Sequence, residues 1–127
     1  MLGKGRSVIT SGEMCPNHAC CSVVISGKLL REHPELATQI IRTHINATNY
    51  ANTHPEEAAK TYSNHTGQDP NIIEASMKTW DGKWLSDPHL LINSTLEYAK
   101  FQYNMNNTQK EITEKDLFET RLYDEVK

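Results

Sequence analysis

Long apolar stretches are missing from this chain. No unbroken apolar run exceeds Val23–Val24–Ile25 in length, against the ~20 residues that a bilayer-crossing helix needs. Met1–Leu2–Gly3–Lys4–Gly5–Arg6 also lacks the apolar segment of a signal peptide. A dominant charge is missing as well. Thirteen Lys+Arg against sixteen Asp+Glu leave −3 with histidine neutral, and neither sign forms a long block. Nucleic acid and anionic membrane are therefore poor partners. Cysteine is confined to Cys15, Cys20 and Cys21. These are too few and too clustered to staple a secreted fold, and the odd count leaves a thiol unpaired. There is no phosphate-cradling glycine loop, for which Gly3-Lys4-Gly5-Arg6 is too short a scrap, and no His-Glu zinc-protease helix.

What is present suits one small domain: 127 residues, 37% hydrophobic and 23% charged. A compact fold of 14.4 kDa would expose about 6,800 Å², against about 20,900 Å² for the unfolded chain.

The expected fold class is α+β, predominantly helical, with two short strands followed by four to five helices. Arg6–Ser11, stopped by Gly12, and Cys20–Ser26, stopped by Gly27, are the β-prone runs. A loop of turn formers, Gly12–His18, joins them. An isolated pair of short strands leaves open edges, so partners from elsewhere are required, and self-association through the strand edges is expected.

Helical signals follow. A short turn over Lys28–Glu32 is interrupted and restarted by Pro34. From Glu35 to about Asn52, Leu36, Ile40, Ile41, Ile45, Thr48 and Ala51 recur at helical spacing. Thr53–His54–Pro55–Glu56–Glu57 starts a helix carrying Ala58, Ala59 and Tyr62, which Gly67 ends. Asp69–Pro70 opens a third, with Ile72, Ile73, Ser76, Met77 and Trp80 inward, stopping at Asp81–Gly82. Ser86–Asp87–Pro88 opens a fourth, running to about Met105. Thr113 before Glu114 and Asp116 predicts a final short helical piece near Leu117 and Phe118. Asn-X-Ser/Thr triplets at Asn46, Asn64, Asn93 and Asn106 are read as chance, and Asn46 and Asn93 fall inside expected helices.

The densest chemical constellation is Cys15-Pro16-Asn17-His18-Ala19-Cys20-Cys21. Three thiols and an imidazole are soft ligands, so Cys15, His18, Cys20 and Cys21 form the alternative metal set. No later Cys supplies a second ligand pair, and on a strand Cys20 and Cys21 would point to opposite faces. A structural or ligand-lining loop is the preferred reading. Nucleophilic catalysis by Cys15 or Cys20 lacks a recognisable oxyanion loop and ordering acid. His44 reads as a hydrogen-bonded core residue, and His33, His54, His65 and His89 as helix-end residues. Trp80 and Trp84 bracket an Asp-Gly turn and are assigned to packing rather than to a ligand platform.

Several segments, in order, resemble the C-terminal part of ABC-transporter substrate-binding proteins of the nitrate/sulfonate/taurine (NitT/TauT) type. Glu13-Met14-Cys15-Pro16-Asn17-His18-Ala19-Cys20-Cys21-Ser22-Val23-Val24-Ile25-Ser26 is similar to that family's loop-then-strand, often written with a Pro-Asn-His-Pro-Cys-Cys core. His33-Pro34-Glu35-Leu36 with His44 and Ala47-Thr48, then His54-Pro55-Glu56-Glu57-Ala58-Ala59-Lys60, look like its next helices. Phe118 with Tyr123-Asp124-Glu125-Val126 looks like its C-terminal signature.

The resemblance implies a piece of a type II periplasmic-binding-protein fold. Residues 1–11 would end the second lobe, 12–26 would be a hinge loop and return strand, and 27–127 the helical part; by this expectation the first lobe's main portion, most of the second lobe, the export signal and the lipid-anchoring cysteine would be absent. It implies binding of a small anionic or zwitterionic solute such as nitrate, sulfonate, taurine or bicarbonate, and an ABC permease as partner. An extracytoplasmic or periplasmic, membrane-associated place follows for the full-length protein, with no catalysis and no cofactor. The loop would lie at the cleft, where Ser11, Glu13, Asn17, His18 and backbone donors are the candidate ligand-binding groups. The thiamine-pyrimidine synthase group is the enzymatic alternative of the same fold, although its cysteine run is longer than Cys20–Cys21.

Overall fold

A computed structural model describes residues 5, 6, 8–80 and 82–127. Its elements are helical: α1 (Ser11–Met14), α2 (Gly27–Glu32), α3 (Pro34–Thr53), α4 (Pro55–Thr66), α5 (Pro70–Thr79), a 3-10 turn (Pro88–Leu91), α6 (Ile92–Asn104), α7 (Glu114–Leu117) and α8 (Arg121–Val126).

Proline writes most of the long boundaries. Pro34, Pro55, Pro70 and Pro88 each sit in the first turn of their element, where the missing N–H costs nothing and the fixed φ favours helix. Side chains complete the caps: Asp69 Oδ1 accepts from Asn71 N at 2.8 Å, and Asp87 Oδ1 from His89 N at 3.0 Å. At the far end of α4, Gly67 adopts φ +71° and its N–H returns to the Ser63 carbonyl. That left-handed position suits glycine. The expected helices over these segments are therefore present, and the fourth is divided into a 3-10 entry and α6.

The expected strands are not. Among the described residues there is no β-strand, which corrects the α+β class to an all-helical arrangement. Ser7 of the first run lies outside the described residues. The Thr10–Ser11 end of that run, with Gly12, is drawn into the start of α1, because a reciprocal pair of bonds between Thr10 and Glu13 caps a helical turn there. Cys20–Ser26 has no regular structure. A β-prone run without a ladder partner gains nothing from its propensity, so its residues stay irregular. The strand edges through which self-association was expected are likewise not formed among the described residues.

The helix α3, about 30 Å long, is the hub: it packs against α2, α4 and α8, while α4 packs against α5. Buried side chains are small. Ala37 has no exposed surface, Ala59 is 2% exposed, and Ile73 and Ala99 complete the core. The total accessible surface, 10372 Å², far exceeds the roughly 6,800 Å² of a compact chain of this mass. Much of the expected apolar stripe remains in the open, including Leu36, Ile40, Tyr62, Ile72, Tyr98 and Phe101. His44 is half-buried on α3. His54 stacks on Tyr50 with centroids 4.2 Å apart, and His65 Nδ1 lies 3.0 Å from the Thr61 carbonyl, in keeping with helix-end roles. His33 Nδ1 is 3.7 Å from Glu35 Oε1. His89 donates to Asp87 through Nδ1 at 2.8 Å, and its Nε2 is 3.6 Å from Asp124 Oδ2, which ties the 3-10 turn to α8.

The short α7 depends on one carboxylate. Asp116 Oδ2 accepts from Thr113 N at 2.9 Å and Thr113 Oγ1 at 2.7 Å, while Lys110 Nζ donates to Oδ1 at 2.9 Å. The Thr113 N–H first, then its hydroxyl and the Lys110 ammonium, hold this carboxyl well below the usual carboxylate range.

Two outcomes are expected. Ala37→Leu overfills a closed contact and should lower stability by about 1–3 kcal/mol in urea unfolding; an unchanged midpoint would show that α3 does not make this contact. Asp116 carries a depressed folded-state pKa, so its contribution is complete above the unfolded value of ~3.9 and is lost as pH falls below it. The Thr113 amide should become exchange-labile in acid, and at neutral pH in Asp116→Asn. Equal protection in the variant would remove the cap from the account.

Candidate functional site

The loop after Thr10 is built from local bonds. Thr10 N donates to Glu13 Oε2 at 2.7 Å, and Glu13 N donates to Thr10 Oγ1 at 3.2 Å. The turn then closes with Cys15 N on the Ser11 carbonyl at 2.9 Å and His18 N on the Cys15 carbonyl at 3.2 Å. Asn17 occupies the left-handed region at φ +59°, which Asn tolerates better than most side chains. One bond then crosses the fold: Ala19 N donates to Ser94 Oγ at 2.9 Å, and Ser94 Oγ donates to the Leu91 carbonyl at 3.3 Å. The loop is thereby tethered to the entry of α6.

Ser11, Glu13 and Asn17 are exposed and His18 is half-buried. The Glu13 carboxylate is engaged in the cap, so it shapes the loop and adds a negative charge where an anion was expected. His18 Nδ1 lies 2.8 Å from the Cys15 carbonyl. A carbonyl only accepts, so Nδ1 carries a proton and donates to it; in the neutral form of the ring Nε2 is then an acceptor. Only a protonated ring would turn Nε2 into an anion donor.

Cys15, Cys20 and Cys21 are free thiols on the surface. Among the described residues no group of three or more His, Cys, Asp or Glu converges to hold a metal ion. Contrary to the opposite-face expectation, Cys20 and Cys21 turn together, with Sγ atoms 3.6 Å apart. Alternation across faces is a property of strands, and no strand forms here. The hydrogen bond Cys21 donates to Cys20, followed by repulsion from Cys20, pushes the Cys21 thiol above its ordinary pKa.

A concavity of about 520 Å³ lies between α3, α4 and α5, lined in part by Trp80, Trp84, Glu56, Glu74 and Lys78. The indole centroids are 4.9 Å apart at 53°, and the two residues remain 43% and 52% exposed. Trp80 lies over Gly82, where an added Cβ would meet the ring at 2.1 Å. Asn52 Nδ2 anchors the backbone by donating to the Trp84 carbonyl at 2.9 Å. Lys78 pairs with Glu74, whose hydrogen bond raises the lysine pKa. The packing assignment for these tryptophans gives way to a half-open aromatic wall. The sequence signal for it was the glycine between two indoles four residues apart. The Asp-Gly turn itself includes Asp81, outside the described residues.

Residues 1–64 match the model of the NMT1-like family. The chain belongs to that family. This associates it with ABC-transporter substrate-binding proteins and with a solute-binding type of role. The matched span contains Ser11, Glu13, Asn17 and His18, the Cys20–Cys21 pair, all of α3 and most of α4, while Ser94, which anchors the loop, lies beyond it. Comparisons with curated proteins and with solved structures give no match.

Since the Ser94 hydroxyl tethers the loop, Ser94→Ala should cost about 1 kcal/mol locally, read as a several-fold faster hydrogen exchange at the Ala19 amide. Exchange at the wild-type rate would mean that the loop is positioned otherwise.

Proposed function

We propose that this chain is part of the solute-binding component of an ABC importer of the nitrate/sulfonate/taurine type, binding a small anionic or zwitterionic solute and catalysing no reaction. The observation that carries the reading is the family match over residues 1–64, which contains the tethered loop.

The loop's chemistry supports the solute class. Asn17 offers an amide with both donor and acceptor groups, Ser11 a hydroxyl, and His18 Nε2 an acceptor, with the Glu13 carboxylate nearby in sequence. No lysine or arginine lies between Gly12 and Gly27. A solute bearing an ammonium beside its sulfonate or carboxylate suits such a set better than a bare inorganic anion, which would meet acceptors with no compensating cation. On this reading taurine-like zwitterions stand ahead of nitrate and bicarbonate. Delivery to a membrane permease on the extracytoplasmic side, in a periplasm where there is one, completes the proposal.

Isothermal titration of taurine, nitrate and bicarbonate into the chain tests it. Taurine should bind most tightly, and Asn17→Ala and His18→Ala should each weaken it by about tenfold, equivalent to ~1.4 kcal/mol. Affinity unchanged in both variants would leave the loop with a structural role alone.

A further inference from the structure

The adjacent thiols carry more than a packing role. Side chains of neighbouring residues diverge in extended ladders, yet here both sulfurs face the same way at 3.6 Å and both residues are exposed. The residue just before them, Ala19, is pinned to Ser94, so the pair is displayed from an anchored point. The sulfur separation fits a bent chelate. With metal–sulfur bonds of ~2.3 Å, a bite of 3.6 Å corresponds to an S–metal–S angle of about 100°, close to tetrahedral. A linear two-coordinate ion would hold the sulfurs about 4.6 Å apart.

We infer that Cys20 and Cys21 form a two-thiolate chelate for one soft or borderline dication of zinc type, held in a bent geometry. Both thiol protons leave to solvent, two metal–sulfur bonds form, and no oxidation state changes. Among the described residues no further protein ligand converges on the pair. The remaining coordination positions therefore belong to water or to a small exogenous ligand. Cys15 is outside the chelate, and His18 is turned by its Nδ1 toward the Cys15 carbonyl. Because binding must displace the proton shared between the sulfurs, affinity rises with pH. The chelate does not depend on solute binding by the loop.

The test uses the full chain kept reduced by a phosphine, with Zn²⁺ titrated in competition with a chromophoric chelator. Wild type and Cys15→Ser should bind one ion with equal affinity, and Cys20→Ser and Cys21→Ser should bind at least about tenfold more weakly. Wild-type affinity in either of the latter variants, or an equal loss in Cys15→Ser, overturns the assignment. Phenylarsine oxide supplies a second reading by intact mass. Its oxygen leaves as water with the two thiol protons while two arsenic–sulfur bonds form, so wild type and Cys15→Ser should each take one adduct and the other two variants none. A Cys15→Ser chain that takes no adduct would equally refute the pair.

Discussion

Alanine sets how closely these helices approach. Ala37 on α3, Ala59 on α4 and Ala99 on α6 are buried, joined by Ile73 on α5, so the closed contacts of the fold are made mainly through short side chains. Such contacts fix geometry well but remove little apolar area each, and burial energy scales with that area at roughly 25 cal/mol per Å². Many of the larger apolar groups, Leu36, Tyr62 and Phe101 among them, face outward. A surface of 10372 Å² follows directly: the arrangement is held by thin seams around α3 while broad faces stay open.

Within that frame the loop and the cleft are positioned by few bonds. A hydroxyl on α6 holds Ala19, an amide on α3 holds the Trp84 carbonyl, and His89 joins the 3-10 turn to α8. Each acts between segments distant in sequence, where chain closure has an entropic cost that one such contact offsets only in part. The groups assigned to solute recognition thus sit on a short, locally capped turn that is joined to a distant segment where the Ser94 hydroxyl accepts from Ala19 N.

The helices were legible because their signals are local. Proline at the first turn, Asp69 and Asp87 as caps and Gly67 at a left-handed end act within a few residues of themselves. The Thr113–Asp116 capping motif was equally readable. The strands over Arg6–Ser11 and Cys20–Ser26 were misread for the complementary reason. Strand formation needs a partner that no local pattern supplies, and Thr10 with Glu13 offered the backbone a helical turn instead. That error propagated to Cys20 and Cys21, whose divergence was inferred from a strand that does not form. Asn17 and His18 were found from residue type, but the tautomer of His18 required the Cys15 carbonyl. Ser94 was invisible because nothing in its own neighbourhood points to a residue seventy-five positions away.

Both tryptophans of the chain lie in the cleft beside Gly82, with their rings in contact and half open to water. Its indole ultraviolet emission therefore originates from a single place. A molecule entering that cleft would change the whole of this optical signal, whereas one resting only on the Asn17–His18 turn would leave it silent.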